Sequence, residues 1–344
     1  MTLEPGFDTR DEPEPLRLLM SASARAHLGD RVREACGERA FDVLTLEHAV
    51  RAQRTDFDVA FISRDVTGTS TKHRIEPALQ AVYDLLLASQ QLRWVHIHSA
   101  GADRPAFVTL HQRGVRVTTS SGANARVVAA TALAGLLALN RRFPMLWAQQ
   151  LQRQWVPLLG AGRLPRDLPG QTATILGWGP IAQELARLLQ ALGLHVTAVR
   201  MQAAAPADGV RMCTYADLIA VLPRTDWLIL ACPLTDLTRG LVDASVLAAL
   251  PAGAHLINVA RGEVICECDL VNALRSGHLG GAFLDVFSRE PLPAESDLWA
   301  MPNVIVTPHG AGHSDGNEAR VADLFMANLS QWVTGQPLHN ALTG

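Results

Sequence analysis

The stretch Ala173-Thr174-Ile175-Leu176-Gly177-Trp178-Gly179-Pro180-Ile181-Ala182 runs from a short apolar segment into a glycine-rich turn and then into an amphipathic helical pattern that continues to Leu192. A buried strand entering a helix through Gly-x-Gly is the geometry of a dinucleotide-binding turn. Gly177 allows the tight turn, and Gly179 allows the backbone to approach a pyrophosphate that the helix N-terminus stabilises. Ala182 occupies the third glycine's place, and Pro180 suits the first helical position because its missing N–H would have been unpaired there. A Gly-x-Gly alone is weak evidence, but strand, helix and a further strand at His195–Arg200 are in sequence order around it. A triphosphate-binding loop is excluded, since Lys72 is the only lysine.

Working outward, short apolar runs alternate with helical patterns on both sides, which predicts parallel sheets with crossover helices. Upstream, strands are predicted at Leu16–Met20, Asp42–Leu46, Phe57–Ile62, Leu92–His98 and Val115–Thr118, with a helix at Ile75–Ser89. A long helix from Asn124 to Arg142, rich in Val, Ala and Leu, ends near Pro144 and is followed by a Gly- and Pro-rich bridge from Pro157 to Gly170. Downstream, strands are predicted at Ala173–Leu176, His195–Arg200, Trp227–Ala231, His255–Val259, Ala282–Val286 and Val304–Thr307, and a last helix at Gly316–Val333. The expected fold class is α/β: two Rossmann-like or flavodoxin-like, doubly wound parallel-sheet domains with a cleft between them. Residues 1–15 are expected to be a disordered tail, residues 16–120 plus 312–344 a substrate domain, and residues 121–311 the dinucleotide-binding domain.

Composition narrows the function classes. The 344 residues are 48% hydrophobic and 18% charged, as in a globular protein with a sizeable core. A net charge of -3 offers no broad basic footprint, so nucleic acid is not an expected partner. No apolar run is long enough for a membrane helix, and the acidic, proline-bearing start lacks a signal peptide's apolar core, so neither membrane nor export is expected. The five cysteines are odd in number and scattered, which fits reduced thiols in a cytoplasmic protein. Cys266 and Cys268 lack the spacing of a zinc site, and no metal is expected.

The end of the second predicted strand, near the adenosine ribose, carries Arg200 and no acid until Asp208. A carboxylate there would accept from a ribose hydroxyl, whereas a guanidinium pairs with a 2′-phosphate, so NADP is favoured over NAD. Arg261, Glu290 and His309 each follow a predicted strand, at the end where ligands bind in such sheets. Together they supply a fixed cation for a carboxylate and carbonyl, a proton donor, and a carboxylate that stabilises the imidazolium and fixes its orientation. Singly, each has an ordinary explanation in a surface pair, a capped turn or a core histidine. Their shared placement after strands of one unit points to reduction of a 2-keto acid.

These segments resemble the D-isomer-specific 2-hydroxyacid dehydrogenases, the family of glyoxylate/hydroxypyruvate reductases and phosphoglycerate dehydrogenase. The likeness rests on Gly177 to Ala182, Asn258-Val259-Ala260-Arg261-Gly262, Leu284 to Phe287 with Glu290-Pro291-Leu292-Pro293, and Thr307-Pro308-His309. It implies hydride transfer from a reduced nicotinamide to a small 2-keto acid, with Arg261 binding substrate, His309 the acid/base and Glu290 supporting the histidine. It also implies cofactor contacts from Gly177, Gly179, Pro180, Ile181, Arg200, Cys232, Pro233, Thr238, Val259, Ala260, Asp285 and Gly310. Substrate contacts from Ala100 and Gly101 join those of Arg261 and His309, because a glycine-containing turn can aim adjacent amides at an anion. A homodimer is the expected assembly, with the apolar helix from Asn124 as its surface, although interdomain packing would produce the same pattern. Trp147 and Trp155, near the domain bridge, either shape the pocket, in a neighbouring subunit as in some relatives, or pack in the core, and core packing is the expectation.

Two positions depart from the family pattern: Val128-Ala129-Ala130 lacks the usual glutamate, and Gly310-Ala311-Gly312-His313 is a small loop with a second imidazole. Alternatives are a formate or phosphite dehydrogenase, which the glutamate at 290 disfavours because the formate branch carries glutamine there, and a nicotinamide-sensing binding protein or corepressor of the same fold.

Overall fold

A computed structural model describes residues 14–68, 70, 74–159, 164–202 and 204–342. Nearly all of the expected N-terminal tail, and part of the expected bridge, therefore lie outside the described residues. The chain folds into two compact units, one collecting the segments up to residue 68, Glu76–Ser120 and Val321 onward, the other Ser70, residues 74–75 and Ser121–Arg320.

The first unit is a five-stranded sheet in the order β2-β1-β3-β4-β5, every pairing parallel. Its strands are β1 (Leu16–Met20), β2 (Phe41–Thr45), β3 (Val59–Ile62), β4 (Trp94–Ile97) and β5 (Arg116–Thr119). All residues of β3 and β4 are buried, the pattern of central strands covered on both faces by crossover helices. Those helices are α1 (Ala22–Cys36), α2 (Leu46–Ala52), α3 (Arg64–Thr67), α4 (Pro77–Ala88) and α5 (Pro105–Gln112). The C-terminal segment returns to this sheet, stacking Phe325 on Phe61 at 4.3 Å and Trp332 on Trp94 at 5.4 Å between ring centroids.

One polar group is sunk among these rings. His96 is fully buried, with Nδ1 2.7 Å from Thr118 Oγ1 and Nε2 3.1 Å from Ser120 Oγ. Ser120 donates its hydroxyl hydrogen to the Ile97 carbonyl, so it must accept from His96 Nε2–H. Thr118 accepts from Trp94 Nε1 and donates to His96 Nδ1. The donor count is satisfied only by a neutral ring protonated at Nε2.

The second unit is a seven-stranded parallel sheet in the order β12-β11-β10-β9-β6-β7-β8. The strands are β6 (Thr172–Leu176), β7 (His195–Arg200), β8 (Arg211–Thr214), β9 (Trp227–Leu230), β10 (Ala254–Asn258), β11 (Leu279–Leu284) and β12 (Val304–Val306). Helices α6 (Ala125–Asn140), α7 (Phe143–Leu151), α8 (Pro180–Ala191), α9 (Leu218–Val221), α10 (Ala244–Ala248) and α11 (Glu267–Arg275) follow in chain order, and α12 (Asn317–Val333) leaves this unit after Arg320. Strand order reverses between β6 and β9, which makes the carboxyl ends of those two strands the topological switch point.

The prediction of two parallel-sheet α/β domains holds, with local corrections. Strand β8 is unpredicted: Arg-Met-Cys-Thr is short, sits at the sheet edge and lacks a clear alternation. Strand β11 starts at Leu279, not Ala282, because Gly280 and Gly281 contribute no side-chain pattern. Pro144 ends nothing; Arg142 turns the chain with φ 58° and Pro144 opens the next helix at a position that needs no N–H donor. The expectation of core packing for Trp147 and Trp155 fails, since they are 48% and 95% exposed. The buried face of α6, with Val128, Ala132, Leu136 and Leu139, packs in one cluster with Ala173, Ile175 and Leu185 of its own unit.

Candidate active site

At the switch point, Gly177 has φ 104°, and a Cβ on it would lie 2.7 Å from the Ala231 carbonyl oxygen and 2.8 Å from Cys232 Cα. Both the conformation and the space demand glycine. Gly179 forms the N-cap of α8, and a Cβ built on it meets nothing within 4 Å. The amides of Ile181 and Ala182 behind it have no acceptor among the described residues. An open glycine in front of unpaired helix-start amides fits a bound pyrophosphate.

Arg200 ends β7, partly exposed, and its guanidinium forms no hydrogen bond or ion pair with a described residue. The side chains of several other predicted cofactor residues are already engaged. Thr238 is buried and donates its hydroxyl to the Pro233 carbonyl at 2.7 Å, closing the loop after β9. Cys232 turns into the core cluster beside Tyr215, and burial pushes its thiol up to about 11. Val259 and Ala260 are buried as well. What these segments offer a dinucleotide is backbone and contour.

The three polar residues follow three neighbouring parallel strands: Arg261 after β10, Glu290 after β11 and His309 after β12. At roughly 4.8 Å between strands, the outer two roots are about 10 Å apart, within the reach of an arginine and an imidazole sharing one small molecule. Asn258 shapes the first of these strand ends. It is fully buried, accepts the Ala260 N–H at 3.0 Å through Oδ1 and donates Nδ2–H to the Arg261 carbonyl at 3.1 Å. Gly262 follows because a Cβ there would collide with the Phe287 backbone. Arg261 donates from Nη1 to the Ala260 carbonyl at 2.8 Å.

Glu290 is a buried carboxylate with its two oxygens assigned. Oε1 accepts the Phe287 N–H at 3.1 Å, which orients the group, and Oε2 lies 2.8 Å from His309 Nδ1. The His309 side chain is 49% exposed against 8% for Glu290. A carboxylate at Nδ1 fixes the tautomer and leaves Nε2 for a ligand.

His309 has φ 51°, a left-handed conformation that a non-glycine residue adopts at a cost of about 1–3 kcal/mol. Asp285 holds it there. The Asp285 carboxylate is 3% exposed and accepts from Thr307 Oγ1 at 2.6 Å, the Gly310 amide at 2.8 Å and the Ala311 amide at 3.0 Å, while its carbonyl accepts the His309 amide at 2.8 Å. Gly310 is thus engaged through its backbone. Sequence inspection did not find Asn258 and Thr307 as supporting residues. Their signal was available as lone polar residues at the ends of otherwise apolar strands.

In the first unit, Ala100 and Gly101 lie in the loop after β4. Ser99 donates its hydroxyl to the Gly101 carbonyl at 2.8 Å, and the amides of Ala100 and Gly101 have no acceptor among the described residues.

Residues 133–311 match the family profile described as D-isomer specific 2-hydroxyacid dehydrogenase, NAD binding domain. The chain belongs to this family. Among curated 2-hydroxyacid dehydrogenases, the (S)-sulfolactate dehydrogenase of Chromohalobacter salexigens is 33% identical over 249 residues, 72% of this chain and 79% of the relative. A glyoxylate/hydroxypyruvate reductase of Arabidopsis thaliana is 30% identical over 264 residues, 77% of this chain and 80% of the relative. The crystal structure of an NADPH-dependent glyoxylate/hydroxypyruvate reductase from Sinorhizobium meliloti, in complex with NADP and sulfate, is similar with a TM-score of 0.75 and 26% identity, covering 95% of this chain and 98% of that one. The chain is therefore a 2-hydroxyacid dehydrogenase, an oxidoreductase with an NAD-binding domain. No helix among the described residues is long and apolar enough to cross a membrane.

Proposed function

We propose that this dehydrogenase reduces a small 2-keto acid of the glyoxylate or hydroxypyruvate kind to the D-2-hydroxy acid, with NADPH preferred over NADH. The observation that carries the proposal is the 2.8 Å contact between Glu290 Oε2 and His309 Nδ1, at a strand end two positions along the sheet from Arg261. When bound, the reduced nicotinamide supplies the hydride. Arg261 pairs with the substrate carboxylate and polarises the carbonyl. His309 delivers a proton from Nε2 to the forming alkoxide, while Glu290 at Nδ1 stabilises the imidazolium form that carries it. The amides of Ala100 and Gly101 supply further donors for the carboxylate.

Gly177, Gly179, Pro180 and Ile181 cradle the pyrophosphate. Contacts along the rest of the cofactor come from Cys232, Pro233, Thr238, Val259, Ala260, Asp285 and Gly310, largely through backbone and packing. Arg200 pairs with the 2′-phosphate, as its unengaged guanidinium permits. Five free cysteines, three of them buried, fit a reducing cytoplasm. Two copies would associate through α7, an apolar helix with no buried residue that exposes Phe143, Trp147 and Leu151.

Following reduced-nicotinamide absorbance with NADPH or NADH against glyoxylate, hydroxypyruvate and a bulkier keto acid tests the assignment. Turnover with a small keto acid is expected, faster at limiting NADPH than NADH. Tight cofactor binding with no turnover of any keto acid would instead indicate a sensor, and turnover of formate or phosphite alone would move the substrate class.

A further inference from the structure

Far from the switch point, the amino-terminal ends of β6, β7 and β8 border a groove of about 630 Å³, a volume typical of small-molecule sites. Strand register explains its chemistry. Thr172 pairs with His195, Thr174 with Thr197, and Thr197 with Arg211, so these five side chains project from one face of the sheet. The other end of the same face is apolar: Leu176, Val199 and Cys213 pack there with Leu218 and Leu222. A parallel sheet ordinarily buries an apolar face under a full crossover helix. Here the cover is only the four-residue α9 and the single turn Leu222–Arg224, and the uncovered half of the face is polar.

The polar groups of this groove are weighted toward donors. Thr174 donates to Thr225, whose hydroxyl donates to the Val221 carbonyl, so this pair is internally satisfied. The Thr197 hydroxyl, though nearly buried, makes no hydrogen bond with a described residue. Arg211 and Arg224 line the groove, and neither guanidinium forms a hydrogen bond or ion pair with a described residue. Of the nearby carboxylates, Asp217 accepts from the Thr214 amide and hydroxyl and also feels the charge of Arg211 without a direct ion pair, and Asp226 accepts from Arg166 and the Thr172 amide. Ala220 and Val221 add a short apolar wall, while the side chains of Leu194 and Val196 are buried in the cluster on the other face of the sheet.

We propose that this groove is a second binding site, for a small phosphomonoester whose phosphate is held by Arg211, Arg224 and the Thr197 hydroxyl and whose organic part lies on Ala220 and Val221. Two guanidiniums with a hydroxyl suit three acceptor oxygens, and the apolar wall selects an organic phosphate over the free ion. The site is separate from the proposed 2′-phosphate contact at Arg200, which lies three residues beyond Thr197 on β7, roughly 10 Å along the strand and on the opposite face of the sheet.

Calorimetric titration of the full-length protein with glycerol phosphate, inorganic phosphate and succinate tests this. Glycerol phosphate is expected to bind saturably and more tightly than inorganic phosphate or succinate. Its Kd should rise at least tenfold in the R211Q/R224Q double variant and stay unchanged in R200Q. Hydrogen exchange on the wild-type protein should show protection at residues 194–197 and 211, which makes the test independent of how the double variant folds. Absence of saturable binding, binding lost in R200Q but kept in R211Q/R224Q, or protection confined to the turn at 177–182 would each overturn the proposal. None of these outcomes bears on keto-acid reduction.

Discussion

The amide of His309 donates to the carbonyl of Asp285 at 2.8 Å, and the carboxylate of the same aspartate accepts from the two residues after the histidine. The imidazole is therefore set by two acids with separate tasks: Glu290 fixes the ring, and Asp285 fixes the backbone beneath it.

Removing the ring tests the first task. His309→Gln is expected to lower kcat by about 10²–10⁴-fold, the usual contribution of a positioned acid/base. Glu290→Gln should cost less, because its amide oxygen can still accept from Nδ1. Single-turnover reduction at an unchanged rate in His309→Gln would remove the histidine from the mechanism.

Asp285→Asn tests the second task. An amide would retain one acceptor oxygen and aim an N–H at amides that also donate, so about 1–3 kcal/mol of stability should be lost. The rate should fall with it, since the carboxylate contacts to the Gly310 and Ala311 amides that hold the chain just after His309 would be weakened. Denaturant midpoints and kcat measured on the same preparation check both. A variant of normal stability and activity would show that the clamp is dispensable.

Gly177→Ala should abolish cofactor binding, for both its φ of 104° and the Ala231 carbonyl 2.7 Å from the new Cβ oppose it. Gly179→Ala meets no protein atom, so the fold should survive while nicotinamide cofactor affinity falls. Thermal midpoints and cofactor titrations of the two variants separate a folding glycine from a binding one. Equal cofactor affinity in Gly179→Ala and wild type would contradict the proposed pyrophosphate contact.

The acid limit of stability is set partly by buried histidines. Burial, with a contribution from neighbouring His98, pushes His96 down to about 3, and burial pushes His255 down to about 4, against an ordinary 6.5. The unfolded chain takes up protons at both as pH falls through 6.5, whereas the folded chain does so only near 4 and 3. Stability is thus fully present above 6.5 and declines as the medium is acidified toward those lower values. Between pH 7.5 and 5 the loss for His96 is about 2 kcal/mol. Urea midpoints at those pH values should show that decrement shrinking in His96→Asn; an equal decrement would mean that His96 is not the group responsible.

The sequence showed the parts of this protein where local chemistry and fold agree. The strand, turn and helix at 173–192 are unambiguous because apolar periodicity, glycine placement and Pro180 all point the same way. Arg261, Glu290 and His309 were found because each follows a strand. Strand β8 was not found because its four residues are an edge whose register is supplied by β7. The exposure of Trp155 contradicts the ordinary rule for tryptophan, and hydrophobicity alone cannot say whether an apolar side chain is covered by its own chain. The roles of Asn258 and Thr307 emerge only in the folded chain, because they arise from the local turns and neighbouring strand ends that the fold brings against them.

Mounting Arg261 and His309 on strands that flank a common neighbour has an evolutionary corollary. Lateral separation in a parallel sheet comes in fixed steps, so mutation cannot stretch the gap between cation and acid to suit a wider molecule. On the proposed mechanism, new specificities can emerge only by trimming or lengthening side chains and loops above the strand ends, while the reacting carbon stays over the same spot.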